Sequence, residues 1–239
     1  MVSTKKKEEH KESNEDKQVQ EWDSYWSKKN KVSNSIYDQI AKFYRKYIMV
    51  RMFDHFMKKS FSSGSALLHA GCGGGYADLC LKDYADITAL DNSFNALEAY
   101  KKNHGDKSKI ILGDIFHLPF EEKSFDGIYN LGVMEHFSEE EIREILSEFK
   151  RVLRANGKLV IFWPPTFGST TNTLDALHFI LNKILRRNVR LHPPEVSRIN
   201  SKKHAIEIFS KAGFSVADYY FGPKDIFTQA VIVAKKSDS

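Results

Sequence analysis

An apolar run, Leu67-Leu68-His69-Ala70, breaks into Gly71-Cys72-Gly73-Gly74-Gly75, and a second apolar run ends on Asp91, about twenty residues after Gly71. Glycines let the main chain adopt positive φ and approach a ligand closely. A helix starting directly behind them offers unpaired backbone N–H groups. A carboxylate at the end of the next strand can accept hydrogen bonds from both hydroxyls of a ribose. Turn, helix start and acid in this order describe a grip for a nucleoside. The glycines alone would serve an ordinary strand-to-helix turn equally well; Asp91 moves the reading toward a ligand.

The elements that must hold these residues follow from periodicity. Helical spacing begins near Val19 and places Trp22, Tyr25 and Trp26 close to one face, as core or as a lid. A longer helix is predicted from about Ser35 to Phe61, with Phe43, Tyr47, Val50, Phe53 and Met57 on its apolar stripe and Ser62-Ser63-Gly64 ending it. Strand and helix then alternate: strands at 66–70, 87–90, 109–112, 127–131 and 158–163, with a helix at 76–83 whose Leu79 and Cys80 point inward. The helix at 139–154 has a capping box, Ser138 with Glu141, and ends at Asn156-Gly157. An amphipathic stretch near 174–185, a helix at 201–212 and strands near 214–221 and 227–234 follow. Alternation of this kind predicts an α/β sandwich on a mostly parallel sheet. The expected organisation is a disordered tail over 1–17, a helical cap over 18–63 and a ligand-binding domain over 64–239, with a basic insertion at about 166–200.

Composition narrows the function. The 239 residues suit one domain with a sizeable core. No apolar run is long enough to span a bilayer, and residues 1–18 lack the apolar centre of a signal peptide. Cys72 and Cys80 are the two cysteines; they form no C-x-x-C pair and no H-E-x-x-H occurs, so neither a disulfide framework nor a metal site is expected, and a cytoplasmic location is the default. The net charge of +5 is local: residues 172–203 hold seven Lys and Arg against two acids. Such a segment suits an acidic acceptor, a membrane surface or a merely solvated helix.

The chain resembles the class I S-adenosylmethionine-dependent methyltransferases, in particular the small-molecule group similar to the quinone-biosynthesis C-methyltransferases. The resemblance covers about residues 35–235. It rests on Gly71–Gly75, on Asp91, on Gly113-Asp114-Ile115 with Leu118-Pro119-Phe120, on Phe125–Asn130 through Glu135-His136-Phe137, and on Leu153–Leu159. It implies a Rossmann-like three-layer sandwich whose seven-stranded sheet has its last strand antiparallel, inserted between strands five and six. It implies S-adenosyl-L-methionine as cofactor, S-adenosyl-L-homocysteine as product and a small-molecule methyl acceptor. Cofactor contacts are implied at His69, Ala70, Gly71, Cys72, Gly73, Gly75, Asp91, Asn92, Asn130 and Leu131. Asp114 would accept from the adenine amino group, the Ile115 N–H would donate to a ring nitrogen, and Phe94 and Leu118 would flank the ring. Tyr37 and Tyr44 would cover the sulfonium, or else pack in the core. His136 is the candidate general base, with a loop-shaping role as the alternative. Relatives carry an acid where this chain has His69, which either donates to the cofactor's carboxylate or packs in the strand.

Three other classes compete with this reading. A dinucleotide-dependent oxidoreductase needs a small residue where Tyr76 stands. A nucleic-acid methyltransferase, suggested by a pI of about 9.0, would follow Asn130 with Pro-Pro-aromatic, whereas Leu131-Gly132-Val133 occurs and Pro164-Pro165 come a strand later. A non-catalytic module that binds the cofactor or a partner stays open because of His69.

Overall fold

The computed structural model describes residues 19–27, 39, 43–106, 108–168 and 195–237. The tail expected over 1–17, Tyr37 and most of the basic insertion lie outside these residues. Helix α1 spans 19–27. A π-helical turn, Arg45–Met49, leads into α2, Val50–Ser60. Strand β1 is Ala66–Ala70, β2 Asp86–Asp91, β3 Lys109–Leu112, β4 Phe125–Leu131, β5 Leu153–Trp163, β6 Phe214–Tyr220 and β7 Ala230–Lys236. Helices α3, α4 and α5 are Phe94–His104, Glu139–Val152 and Lys202–Lys211.

The sheet runs β3-β2-β1-β4-β5-β7-β6. Neighbours from β3 to β5 pair in parallel, and β7 runs antiparallel to both β5 and β6. Side chains alternate across a strand, so each buried strand divides its residues between two cores. Leu68, Ile128, Leu159, Ile161 and Ile232 pack with α4 and α5. Leu67, Tyr129, Val160, Phe162 and Val231 pack with Met52, Phe53, Phe56 and Met57 of α2. In α4 the stripe Ile142, Ile145, Leu146, Phe149 and Val152 is buried, and both hydrogen bonds of the Ser138–Glu141 capping box are present.

Three local expectations are corrected. The turn after the glycines is a 3-10 helix, Tyr76–Leu81, that buries Ala77, Asp78 and Leu81 and leaves Leu79 exposed; its tighter winding, about three residues per turn, puts a different face inward. Helix α4 stops at Val152 because Leu153 already pairs with Phe125, and Arg154–Gly157 bulge out before Lys158 rejoins opposite Gly127. Phe43 and Tyr47 are exposed: the π turn shifts the helical register ahead of α2.

Because β1 to β4 are parallel, the loops after them emerge on one edge of the sheet. Chain order reverses between β1 and β4, the crevice where such sheets bind ligands. Gly127 lets this centre close, since a Cβ there would overlap the Phe61 ring and approach Leu67 Cδ2 at 2.9 Å. Gly127→Ala is expected to destabilise the fold by about 1–3 kcal/mol through overpacking, read as a lower melting temperature at unchanged secondary structure.

Candidate functional site

The crevice is a cavity of about 1090 Å³. Its floor is the glycine turn, where Gly71, Gly73 and Gly75 hold φ of 75°, 51° and 62°, conformations that disfavour a side chain. Asp91 fixes this turn: Oδ2 accepts from the Gly73 N–H at 2.8 Å and Oδ1 from the Ser93 N–H at 2.9 Å. Burial pushes the Asp91 carboxyl up, and those N–H groups pull it back. Each oxygen accepts one bond from the protein, and a carboxylate has about four acceptor positions. Capacity for two further donors therefore remains, which is what a ribose diol supplies.

Beyond β3, Asp114 Oδ1 accepts from the Phe116 N–H at 3.0 Å. This loop is clamped from behind by α4: the Leu118 N–H donates to Glu148 Oε2, and Arg151 donates to the carbonyls of Leu118 and Phe120.

Of the residues expected from the sequence, His69, Gly71, Cys72, Gly73, Gly75, Asp91, Asn92, Asp114, Ile115, Leu131 and His136 line this one cavity. Five expected residues lie elsewhere. Ala70 is buried in the core behind the turn, and Asn130 is fully buried in β4. Phe94, the first residue of α3, is exposed and off the wall. Leu118 is buried in the α4 core; Phe116 and Phe137 reach the cavity instead. Tyr44 turns to the other side, where its half-buried hydroxyl meets Thr228 Oγ1, since a buried phenol needs a polar partner. Phe43 and Tyr47, set by the π turn, face the cavity in its place.

Three acids joined the site without having been singled out. Asp78 Oδ2 lies 2.8 Å from His69 Nδ1 and also accepts from the Tyr100 hydroxyl at 2.9 Å. Tyr129 stacks on the same imidazole at 4.5 Å. The histidine that replaces the resembling family's acid thus has a buried carboxylate behind it. Asp23 of α1 accepts from the Ser93 hydroxyl and the Asn95 N–H at the start of α3, and the Asn95 N–H holds its carboxyl below the usual range. This latch sets Trp26 over the turn, where a Cβ on Gly73 would come within 2.5 Å of the indole, and places Trp22 edge-on to His136 at 4.8 Å. The third is Glu135, whose carboxyl burial pushes up to about 8, with Glu195 adding to the rise. The available signals were Asp78 three residues past the turn, Asp23 beside Trp22, and Glu135 beside His136; each showed an acid and none showed its burial. Both thiols stay protonated: burial raises Cys80 to about 12 and Cys72 well above its ordinary value.

The Methyltransferase domain family profile matches residues 68–161, from β1 into β5. A demethylmenaquinone methyltransferase of Thermotoga maritima is 40% identical over 78 residues, 33% of each chain. The chain spans between 33% and 39% of the length of three such curated relatives. The fold is shared with magnesium protoporphyrin IX methyltransferase of Synechocystis, solved with S-adenosylhomocysteine bound (TM-score 0.62, 18% identity, 86% of this chain and 90% of that one). It is shared equally with a Burkholderia thailandensis 1,6-didemethyltoxoflavin N1-methyltransferase, solved with its acceptor and S-adenosylhomocysteine (TM-score 0.60, 18% identity, 84% of each). Among the described residues no helix is long and apolar enough to cross a membrane.

The raised Glu135 carboxyl has a consequence for stability. The folded chain keeps a proton that the unfolded chain releases near pH 4.5, so stability falls as pH rises from there to about 8. The slope is at most about 1.4 kcal/mol per pH unit. Thermal melts of the ligand-free protein from pH 5 to 8.5 should show this decline, and Glu135→Gln should flatten it.

Proposed function

Residues 68–161 belong to the methyltransferase-domain family on a class I sheet, and from that premise we propose that the protein transfers a methyl group from S-adenosylmethionine to a small-molecule acceptor. The observation that carries this reading is Asp91: a buried carboxylate tied to the glycine turn on one side and open to the cavity on the other. When bound, the cofactor supplies an activated methyl group on a sulfonium cation.

The chain's own residues do the rest. Asp91 accepts from the two ribose hydroxyls and keeps Gly73 in place while doing so. Asp114 accepts from the adenine amino group, with Ile115 and Phe116 against the ring. His69, braced by Asp78, meets the amino acid portion near the end of β1. Phe43 and Tyr47 supply the aromatic cover that suits a cation. Trp22, Tyr25 and Trp26 of α1 close over the cavity and exclude water. His136, set against Trp22, helps orient the acceptor. Correct placement of two reactants can supply about 7–11 kcal/mol of the barrier, so most of the catalysis falls to these walls.

The excess of cationic side chains in 172–203 suits an acidic or lipid-like acceptor, or contact with a membrane surface. Two free cysteines fit a reducing cytoplasm.

Calorimetric titration tests the reading: S-adenosylhomocysteine should bind the wild type at one site. Asp91→Ala removes the charged acceptor of two hydroxyls and should weaken binding by about 3 kcal/mol, roughly 100-fold, with a folded circular-dichroism spectrum. Unchanged affinity in that variant would overturn the proposal.

A further inference from the structure

One buried carboxyl in the cavity takes no part in the nucleoside grip. The Glu135 side chain is 7% exposed, lines the cavity, and keeps Oε2 buried without a hydrogen-bond partner. The turn that carries it is held rigidly. Its backbone carbonyl accepts from the Val196 N–H at 2.6 Å and the Ser197 N–H at 3.0 Å, and the Ser197 hydroxyl donates to the Met134 carbonyl at 3.0 Å.

Among the described residues, the titratable groups facing it are His136 and Glu195. His136 Nε2 lies 3.9 Å from Oε1, beyond hydrogen-bonding reach. Glu195, from the segment packed on the turn, is an acid held by Arg198 at 2.7 Å. Among the described residues no Lys or Arg is paired with Glu135. An isolated buried carboxylate is costly, so the group keeps its proton while the cavity holds only water. A cation entering the cavity reverses that preference, because an opposite charge nearby favours the ionised form.

We infer that Glu135 is the proton acceptor of the methyl transfer: it ionises when the cationic donor enters and takes up the acceptor's O–H or N–H proton as the methyl group arrives. This rests on the donor reading above. In the balanced step, the S–CH₃ bond breaks with its electron pair left on sulfur. The acceptor's lone pair forms the new bond to carbon, and its proton passes to the Glu135 carboxylate. The reacting groups start as one cation and one anion and end as a neutral thioether and a neutral acid. The Glu135 charge is therefore compensated before the transfer and gone after it, and the site favours the charged donor over the neutral by-product. His136 is left to orient the acceptor.

The test counts protons. Wild type, Glu135→Gln and Glu135→Asp are titrated with S-adenosylmethionine and with S-adenosylhomocysteine at pH 7, each in two buffers of different ionisation heat. The wild type should release close to one proton more with the donor than with the by-product. Glu135→Gln should lose that difference and still bind the by-product within about threefold; Glu135→Asp should keep it. Relative to Glu135→Gln, wild-type donor affinity should rise from pH 6 toward pH 8, by at most roughly tenfold per unit. An identical proton difference in wild type and Glu135→Gln overturns the inference, as does no difference in the wild type; if the Gln variant does not fold, the wild-type difference and the Asp variant decide. Failure of the wild type to bind either compound removes the donor reading itself.

Discussion

Asp91 stands where four constraints meet. It ends β2, so the parallel sheet sets its position. It is buried, so its oxygens must find donors. Those donors are the Gly73 N–H of the turn after β1 and the Ser93 N–H that opens α3. Ser93 in turn caps α3 through the Ala96 N–H and holds Asp23 of α1. A single carboxylate therefore ties the first two strands, the third helix and the covering helix to one edge, and leaves its remaining acceptor capacity for a ligand.

Much of this was legible in the residues because local chemistry dictated it. Glycine at 71, 73 and 75 is required by positive φ, and Ser138 with Glu141 announces its own helix start. Apolar runs gave β1 to β4 and β6 to within a residue or two, while β5 begins five residues earlier and β7 three residues later than expected. What stayed hidden depended on registers that no local pattern sets. A π turn at Arg45–Met49 exchanges the faces of Tyr44 and Tyr47, so the cavity receives a different tyrosine from the one the resemblance implied. A 3-10 turn sends Asp78 inward and Leu79 outward. Phe94 is placed at the first position of α3 by the Ser93 cap, and its ring is exposed. Leu118 is captured by the Glu148–Arg151 clamp on a helix thirty residues further on.

Acids have divided roles across this cavity according to their partners. Asp91 has two backbone N–H groups, Asp78 has His69 and Tyr100, and Asp23 has Ser93 and Asn95. Each is anchored by these partners and each fixes geometry, although Asp78 Oδ1 stays buried without one. Glu135 Oε2 is likewise buried without a hydrogen-bond partner, and His136 Nε2 stands 3.9 Å from its other oxygen. Structure and chemistry separate along that line: the acids anchored by hydrogen bonds build the walls, and Glu135, which lines the cavity with an unpartnered buried oxygen, is available to exchange a proton.

The central claim is that Asp91 clasps the sugar of the methyl donor while holding the glycine turn. A crystal structure of the protein grown with S-adenosylhomocysteine tests it most directly. The account predicts both ribose hydroxyls within hydrogen-bonding distance of the Asp91 oxygens, with the Gly73 N–H still bound to Oδ2. A nucleoside seated elsewhere in the cavity, with the Asp91 carboxylate touching only Gly73 and Ser93, would contradict it.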